Sequence, residues 1–309
     1  RHQSLALVFE RHAAQCFASA SGSIMAVKRG ASNMNAISFE TSMTFEYGVA
    51  QTLVAGIARL VANNPGFLTF KGTNTYLVGE GALAVIDPGP EDAAHRAAIL
   101  AAAAGRPITH IISTHAHRDH VDGIAALKAA TGALVCAYKR ARADVIPLEG
   151  TPQGREFIDL GLEPDIALHD GARITGEDWT LTAIHTPGHA PDHLCFAHEA
   201  TGALFSGDHV MAWNTTVVAP PEGSMADYIT SLEKLLPREA DRVYLPGHGG
   251  RIDEPRRTVK AYLVHRKVRE QAILQAIQDG ARSIRSLITV IYPDLAPKLS
   301  PAAQLTLMA

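Results

Sequence analysis

Apolar and polar positions change their period several times along the chain. Between Thr73 and Gly89 two short apolar blocks flank Gly-Glu-Gly, which predicts two strands joined by a turn. Glu91–Gly105 is alanine-rich and closes on a glycine, the pattern of a helix with its stop. Ile108–Thr114 predicts a strand, Val121–Gly132 a helix and Ala133–Tyr138 another strand. Short strands separated by turns follow through Gly202, then an amphipathic helix over Tyr228–Leu236 and a strand over Asp241–Leu245. After Gly250 the pattern is helical: a long amphipathic stretch at Glu254–Gly280 and shorter ones at Ser283–Pro293 and Ser300–Ala309. The last opens on a serine cap with proline in its first turn.

Strands and helices are mixed without the strict alternation of a doubly wound sheet. The expected fold is therefore a layered α/β architecture, with helices covering packed sheets. Three regions are expected: 1–44 as a poorly ordered extension, 45–250 as the main α/β body, and 251–309 as a helical appendix.

Composition adds constraints. Hydrophobic residues make up 47% of the chain and charged residues 19%, an ordinary globular balance. No apolar run approaches the ~18 residues that span a bilayer. Cys16, Cys136 and Cys195 are far apart and form no CxxC pair. They imply neither a disulfide framework nor a thiolate zinc site, so a reducing, cytoplasmic setting is expected. Residues 1–44 contain one short apolar run, Leu5–Phe9, too brief for a secretory signal. Their Arg- and Ser-bearing, acid-poor composition also suits a transit peptide, or sequence upstream of a start at Met25 or Met34. Net charge is −3, unevenly spread: residues 251–309 hold ten Lys/Arg against five acids. A basic tail on an acidic body suits either a polyanionic partner or a solvated helix face.

The chemistry concentrates in STHAHRDHVDG, Ser113–Gly123, with three histidines and two aspartates. His115 and His117 follow a strand at a spacing that puts both side chains on one side of an extended segment, and Asp119 continues that alternation. His120 begins the turn into the next helix. Imidazole and carboxylate together suit Zn²⁺ or a similar borderline ion. Three further predicted strands end in tight turns that deliver His189, Asp208 and His248. Five histidines and two aspartates with no cysteine describe an open, catalytic metal set rather than a closed structural one.

H-x-H-x-D-H followed by separate His, Asp and His at strand ends resembles the metallo-β-lactamase-fold hydrolases. FKGTNTYLVG, STHAHRDHVDG, HTPGHAPDH, FSGDHV, LPGHG and YLVHRKVREQAIL together are similar to the β-lactamase-like protein 2 group. That group includes a single-strand endoribonuclease, and its members carry a C-terminal winged-helix-like region. The resemblance covers about residues 45–309 and implies a four-layered αββα sandwich. It implies two zinc ions: His115, His117 and His189 on the first, Asp119, His120 and His248 on the second, and Asp208 bridging. Asp87 of VIDPG would orient the metal loop from behind. The third C-terminal helix runs to Ala309 before any hairpin that could form a wing, so the winged-helix-like region reads as truncated.

A hydroxide shared by two zinc ions would attack phosphorus or a carbonyl carbon. Asp119 would orient that hydroxide and take its proton, and His193 is the candidate acid for the leaving group. Arg118 has two readings, a phosphate contact or an ion pair with Asp122. His185 reads as structural, held by a backbone carbonyl, and His209 as pointing away from the site. The resemblance and the basic tail favour single-stranded RNA as substrate. A carbonyl hydrolase acting on a small ester, thioester, lactone or lactam fits the same ligand set. A non-catalytic nucleic-acid-binding protein on this scaffold is the remaining class.

Overall fold

The computed structural model describes residues 37, 39–139, 158, 159, 161–293, 304, 307 and 308. Residues 1–36, and with them most of the expected extension, lie outside the described residues, as does most of the expected helix over 300–309.

The first sheet has seven strands in chain order: β1 (Gln51–Val54), β2 (Ile57–Val61), β3 (Asn74–Val78), β4 (Leu83–Ile86), β5 (Ile108–Ile112), β6 (Leu134–Tyr138) and β7 (Ile166–Leu168). Pairing is antiparallel through β4 and parallel from β4 to β7. The second sheet contains β8 (Arg173–Thr175), β9 (Thr180–His185), β10 (Leu194–His198), β11 (Ala203–Gly207) and β12 (Val243–Pro246), in the order β12-β11-β10-β9-β8. Its pairs are antiparallel except β11 with β12.

The period-two pattern assigns each face. Ala84 and Ile86 of β4, Leu194 and Phe196 of β10, and Val243 and Leu245 of β12 fill the space between the sheets. The alternate residues Leu83 and Val85 turn outward onto α1 (Ala93–Ala103) and α3 (Ile124–Thr131). Cys195, Leu204 and Tyr244 turn outward onto α4 (Met225–Leu235) and α5 (Pro255–Gln278). The result is the expected four-layered αββα sandwich, held by burial worth about 1.5–3 kcal/mol for each large apolar side chain.

Three boundaries differ in detail from the sequence pattern. The expected helix from Val121 begins earlier, as the single turn α2 (Arg118–Val121), and is interrupted before α3. Gly123 sits at the break with its N–H on the Gly89 carbonyl at 2.9 Å. A Cβ there would lie 3.1 Å from the carbonyl oxygens of Pro88, Gly89 and Pro90. Upstream, Ile37 is buried in the same core as Tyr228 and Tyr262, and the Glu40 N–H reaches the Ala212 carbonyl at 3.0 Å. Packing of the body thus begins ahead of Phe45.

Downstream, Ile252 pairs with Tyr244, and Val259, Tyr262 and Leu263 of α5 belong to the second sheet's outer core. Packing is continuous across Gly250. Helix α6 (Ile284–Ile291) opens on a Ser283–Ser286 capping box and buries none of its residues.

Candidate metal centre

The four strand ends meet. After β5 the chain bends, and His117, still extended at φ −69° and ψ 138°, caps α2. Asp119 and His120 lie inside that turn, where the His120 and Val121 N–H groups return to the His117 carbonyl. The extended alternation expected through Asp119 therefore ends at His117. The reason is geometric: six extended residues span about 17 Å, too far for four ligands to converge. β9 delivers His189 through Thr186-Pro187-Gly188, β11 runs directly into Asp208, and β12 leads to His248.

His115, His117 and His189 bring one ring nitrogen each to a common point, with His117 Nδ1 lying 2.9 Å from His115 Nε2 and 3.0 Å from His189 Nε2. Asp119, His120 and His248 form a second group: Asp119 Oδ2 is 3.2 Å from His248 Nε2 and 3.5 Å from His120 Nε2. Asp208 stands between them, 3.7 Å from His189 Nε2, 3.4 Å from His248 Nε2 and 3.6 Å from His120 Nε2.

Partners behind the rings fix which nitrogen faces inward. His120 Nδ1 meets Asp87 Oδ2 at 2.8 Å, His189 Nδ1 the Val217 carbonyl at 2.6 Å, and His248 Nδ1 the Gly72 carbonyl at 3.2 Å. Thr114 Oγ1 donates to Asp87, so His115 Nδ1 donates to Thr114 across 2.9 Å. Each bond engages Nδ1 and aims Nε2 at the centre, the usual orientation of metal-binding histidines.

This donor set fits metal ions. Two lone pairs face His117 Nδ1, which has at most one proton to share, so a cation satisfies what a hydrogen bond cannot. His120 Nε2 and Asp208 Oδ1 are buried without a hydrogen-bond partner. Gly247 keeps the space open, because a Cβ there would come within 2.5 Å of Asp208 Oδ1 and 2.7 Å of the His120 ring.

The model of the Metallo-beta-lactamase superfamily matches residues 68–248, more than half of the chain and all seven of these residues. The chain belongs to the metallo-β-lactamase superfamily. Within it, a beta-lactamase-like protein 2 homolog from Drosophila melanogaster is 34% identical, with 81% of this chain and 85% of that protein aligned. Lactamase-like protein adaB from Aspergillus niger is also 34% identical over 72% of this chain, which spans 64% of that longer protein. In structure, a beta-lactamase domain protein from Burkholderia ambifaria superposes with a TM-score of 0.72 at 19% identity, covering 88% of this chain and 89% of its own.

Charge in this metallo-β-lactamase centre is sorted by burial and neighbours. Burial would keep His120 neutral, but Asp119, Asp208 and Asp87 push its pKa well above the ordinary range. Burial also opposes charge on His248, and Asp208 and Asp119 nevertheless raise it to about 9. Burial would raise the two carboxylates, yet the facing imidazoles hold Asp119 and Asp208 below the usual range. Across the site, burial and neighbouring imidazoles take His117 down to about 3 and His115 well below its usual value. The raised histidines belong to the group that contains a carboxylate, the lowered ones to the group that is all nitrogen.

The remaining expectations fall on both sides. His185 Nε2 meets the Pro191 carbonyl at 2.8 Å, as a structural histidine should. Arg118 pairs with Asp122 at 3.2 Å. His193 is wholly buried: its Nε2 accepts from the Asp208 N–H at 3.1 Å and its Nδ1 meets Thr186 Oγ1 at 2.9 Å. With both nitrogens engaged, it has no proton to give a leaving group and instead fixes the backbone that carries Asp208. Asn74 holds the His248 turn through the Pro246 and Gly249 carbonyls at 2.8 and 2.9 Å. Thr114 and Thr186 carry no signal in the sequence, since an isolated hydroxyl has neither period nor spacing.

Proposed function

We propose that the protein is a zinc-dependent hydrolase that cleaves phosphodiesters of single-stranded RNA. The observation that carries the hydrolase reading is Asp208, whose carboxylate lies between an all-histidine group and one of two histidines and an aspartate. His115, His117 and His189 would hold one ion, Asp119, His120 and His248 the other, and Asp208 both. When bound, two such ions supply Lewis acidity and make water acidic enough to attack near neutral pH.

The chain's own groups do the rest. Asp119 has a side chain 30% exposed against 10% for Asp208, so it is the carboxylate that orients the attacking water and takes its proton. Thr73 Oγ1, 3.4 Å from Asp119 Oδ2, steadies it. Asp87 holds His120 and Thr114, and His193 holds Asp208, so neither ligand needs to reorganise during the reaction.

Similarity to the β-lactamase-like protein 2 group and the exposed cations of α5 support RNA. A specific observation favours carbonyl substrates as a second reading. Arg266 of α5 is buried, and Arg256, Arg257 and Lys267 each face an acid within 3.5 Å. The segment just ahead of Gly72, which contacts His248, exposes Phe67 and Leu68, apolar groups that suit an acyl chain. Zinc-loaded protein tested in parallel on labelled single-stranded RNA, a thioester and nitrocefin separates the two. RNA cleavage with inert carbonyl substrates supports the first reading, and the reverse result replaces it with the second. RNA binding without any hydrolysis would leave a nucleic-acid-binding protein.

A further inference from the structure

The segment from Asp208 to Val217 has no regular secondary structure, yet each of its ends meets the metal centre. Asp208 begins it. Val217 ends it, and the Val217 carbonyl accepts from His189 Nδ1 at 2.6 Å. Thr216 closes the segment on itself, its Oγ1 lying 2.7 Å from the Asp208 carbonyl and 2.9 Å from that of His209.

Two helices hold it from outside. From α4, Tyr228 Oη donates to the His209 carbonyl at 2.7 Å. From α5, Tyr262 Oη lies 2.6 Å from the Met211 carbonyl and 2.5 Å from that of Asn214, and accepts from the Met211 N–H at 3.3 Å. One turn further along, Arg266 donates to the Thr216 carbonyl at 2.5 Å, with its guanidinium packed 5.1 Å over the Tyr228 ring. Arg266 is only 5% exposed, and no carboxylate pairs with it among the described residues. A buried cation without a counter-charge is costly, and here the Thr216 carbonyl and the Tyr228 ring offset part of that cost.

We infer that Arg266 and Tyr262 are positioning residues for the metal centre. They set the path of the 208–217 segment and so place Asp208 and His189 together. α5, whose charge alone suggests a nucleic-acid arm, is a brace for the metal loop. The inference rests on the proposed zinc reading and adds that both ions depend on a helix that supplies no ligand. Partners behind metal ligands commonly change affinity by about 10–100-fold when removed.

The test measures zinc stoichiometry and affinity by chelator competition, together with the visible spectrum of the Co²⁺-substituted protein. Variants are Arg266→Met, which keeps the apolar stem and loses the donor, Arg266→Lys, and Tyr262→Phe. Val259→Ala serves as the control, since it loosens α5 in the same core while leaving the Arg266 and Tyr262 hydrogen bonds to the segment in place. The expected result is that Arg266→Met lowers affinity about tenfold or more for both ions and alters the Co²⁺ spectrum, that Lys restores part of it, and that Val259→Ala lowers melting with wild-type affinity. Should Arg266→Met not fold, Tyr262→Phe alone must show the loss. Wild-type affinity and spectrum in the Arg266 and Tyr262 variants would overturn the brace while leaving the zinc reading intact. Equal affinity losses in Val259→Ala would also overturn it, as a general stability effect. A wild-type protein that binds no zinc would remove both.

Discussion

His120 Nδ1 lies 2.8 Å from Asp87 Oδ2, and this contact decides which face of the His120 ring meets the other ligands. The same carboxylate takes the Thr114 N–H at 2.8 Å and the Thr114 hydroxyl at 2.7 Å. Asp87 itself sits at φ +49°, a left-handed conformation that costs energy outside glycine. One strained residue thus orients both His115, through Thr114, and His120.

Asp87→Asn should therefore weaken metal binding without removing a ligand. An amide nitrogen donates and cannot accept, so a single oxygen is left for the Thr114 N–H, the Thr114 hydroxyl and His120 Nδ1, and the arrangement that orients the His120 ring loosens. A drop of about 10–100-fold in affinity is expected, read by chelator competition. Unchanged affinity would show that the Asp87 contact is dispensable.

Purified protein should carry close to two zinc ions per chain and lose hydrolysis on chelation. Asp208→Asn should lower the stoichiometry towards one, because it removes the charge facing both groups. Elemental analysis of both proteins decides, and full activity in a metal-free preparation would sink the metallo-hydrolase mechanism.

His95 is buried, and burial lowers its pKa from 6.5 to about 4. The unfolded chain takes up a proton near 6.5 and the folded chain only near 4, so this stability is fully present above pH 6.5 and is lost as pH falls towards 4. The drop between pH 7 and pH 5 should be about 2 kcal/mol from this group. Its Nε2 lies 2.8 Å from Thr75 Oγ1, which donates to the Asp87 carbonyl, so His95 is the donor of that pair and the amide of His95→Gln can replace it. Urea denaturation at the two pH values should show a shallower acid loss in the variant.

Ile37 is 7% exposed in the core shared with Tyr228. Ile37→Ala should cost about 2–4 kcal/mol of stability, measured by chemical denaturation. A chain beginning at Phe45 should melt lower for the same reason. Equal melting would show that this packing contributes nothing.

If α5 also meets RNA, its surface cations must carry that role, since Arg266 is buried. Arg256→Gln with Lys260→Gln should flatten the slope of log affinity against log salt by about 0.7 for each phosphate no longer neutralised. An unchanged slope would move the carbonyl reading ahead.

The seven candidate ligands were legible because strand ends are marked twice, by an apolar run and by the tight turn after it. A layered α/β fold was legible from the pattern of apolar positions, and the number of layers from the family resemblance; each alternate residue of β4, β10 and β12 has an apolar surface to face. Local pattern also places α1, α4 and α5 to within a few residues. What it misreads are buried polar side chains whose partners lie far along the chain. His193 reads as a surface turn residue, yet Asp208, fifteen positions on, supplies the N–H that engages it. Arg266 reads as one cation among ten, while Thr216, fifty positions away, makes it a buried donor. Side-chain chemistry and local hydrophobic spacing are properties of a few neighbouring residues, so the sequence alone determines which groups can bind metal and which segments form strands or helices. Which proton a ring keeps, and whether a charge meets solvent or a carbonyl, depends on groups that only folding brings within about 3 Å, and that the tertiary structure decided.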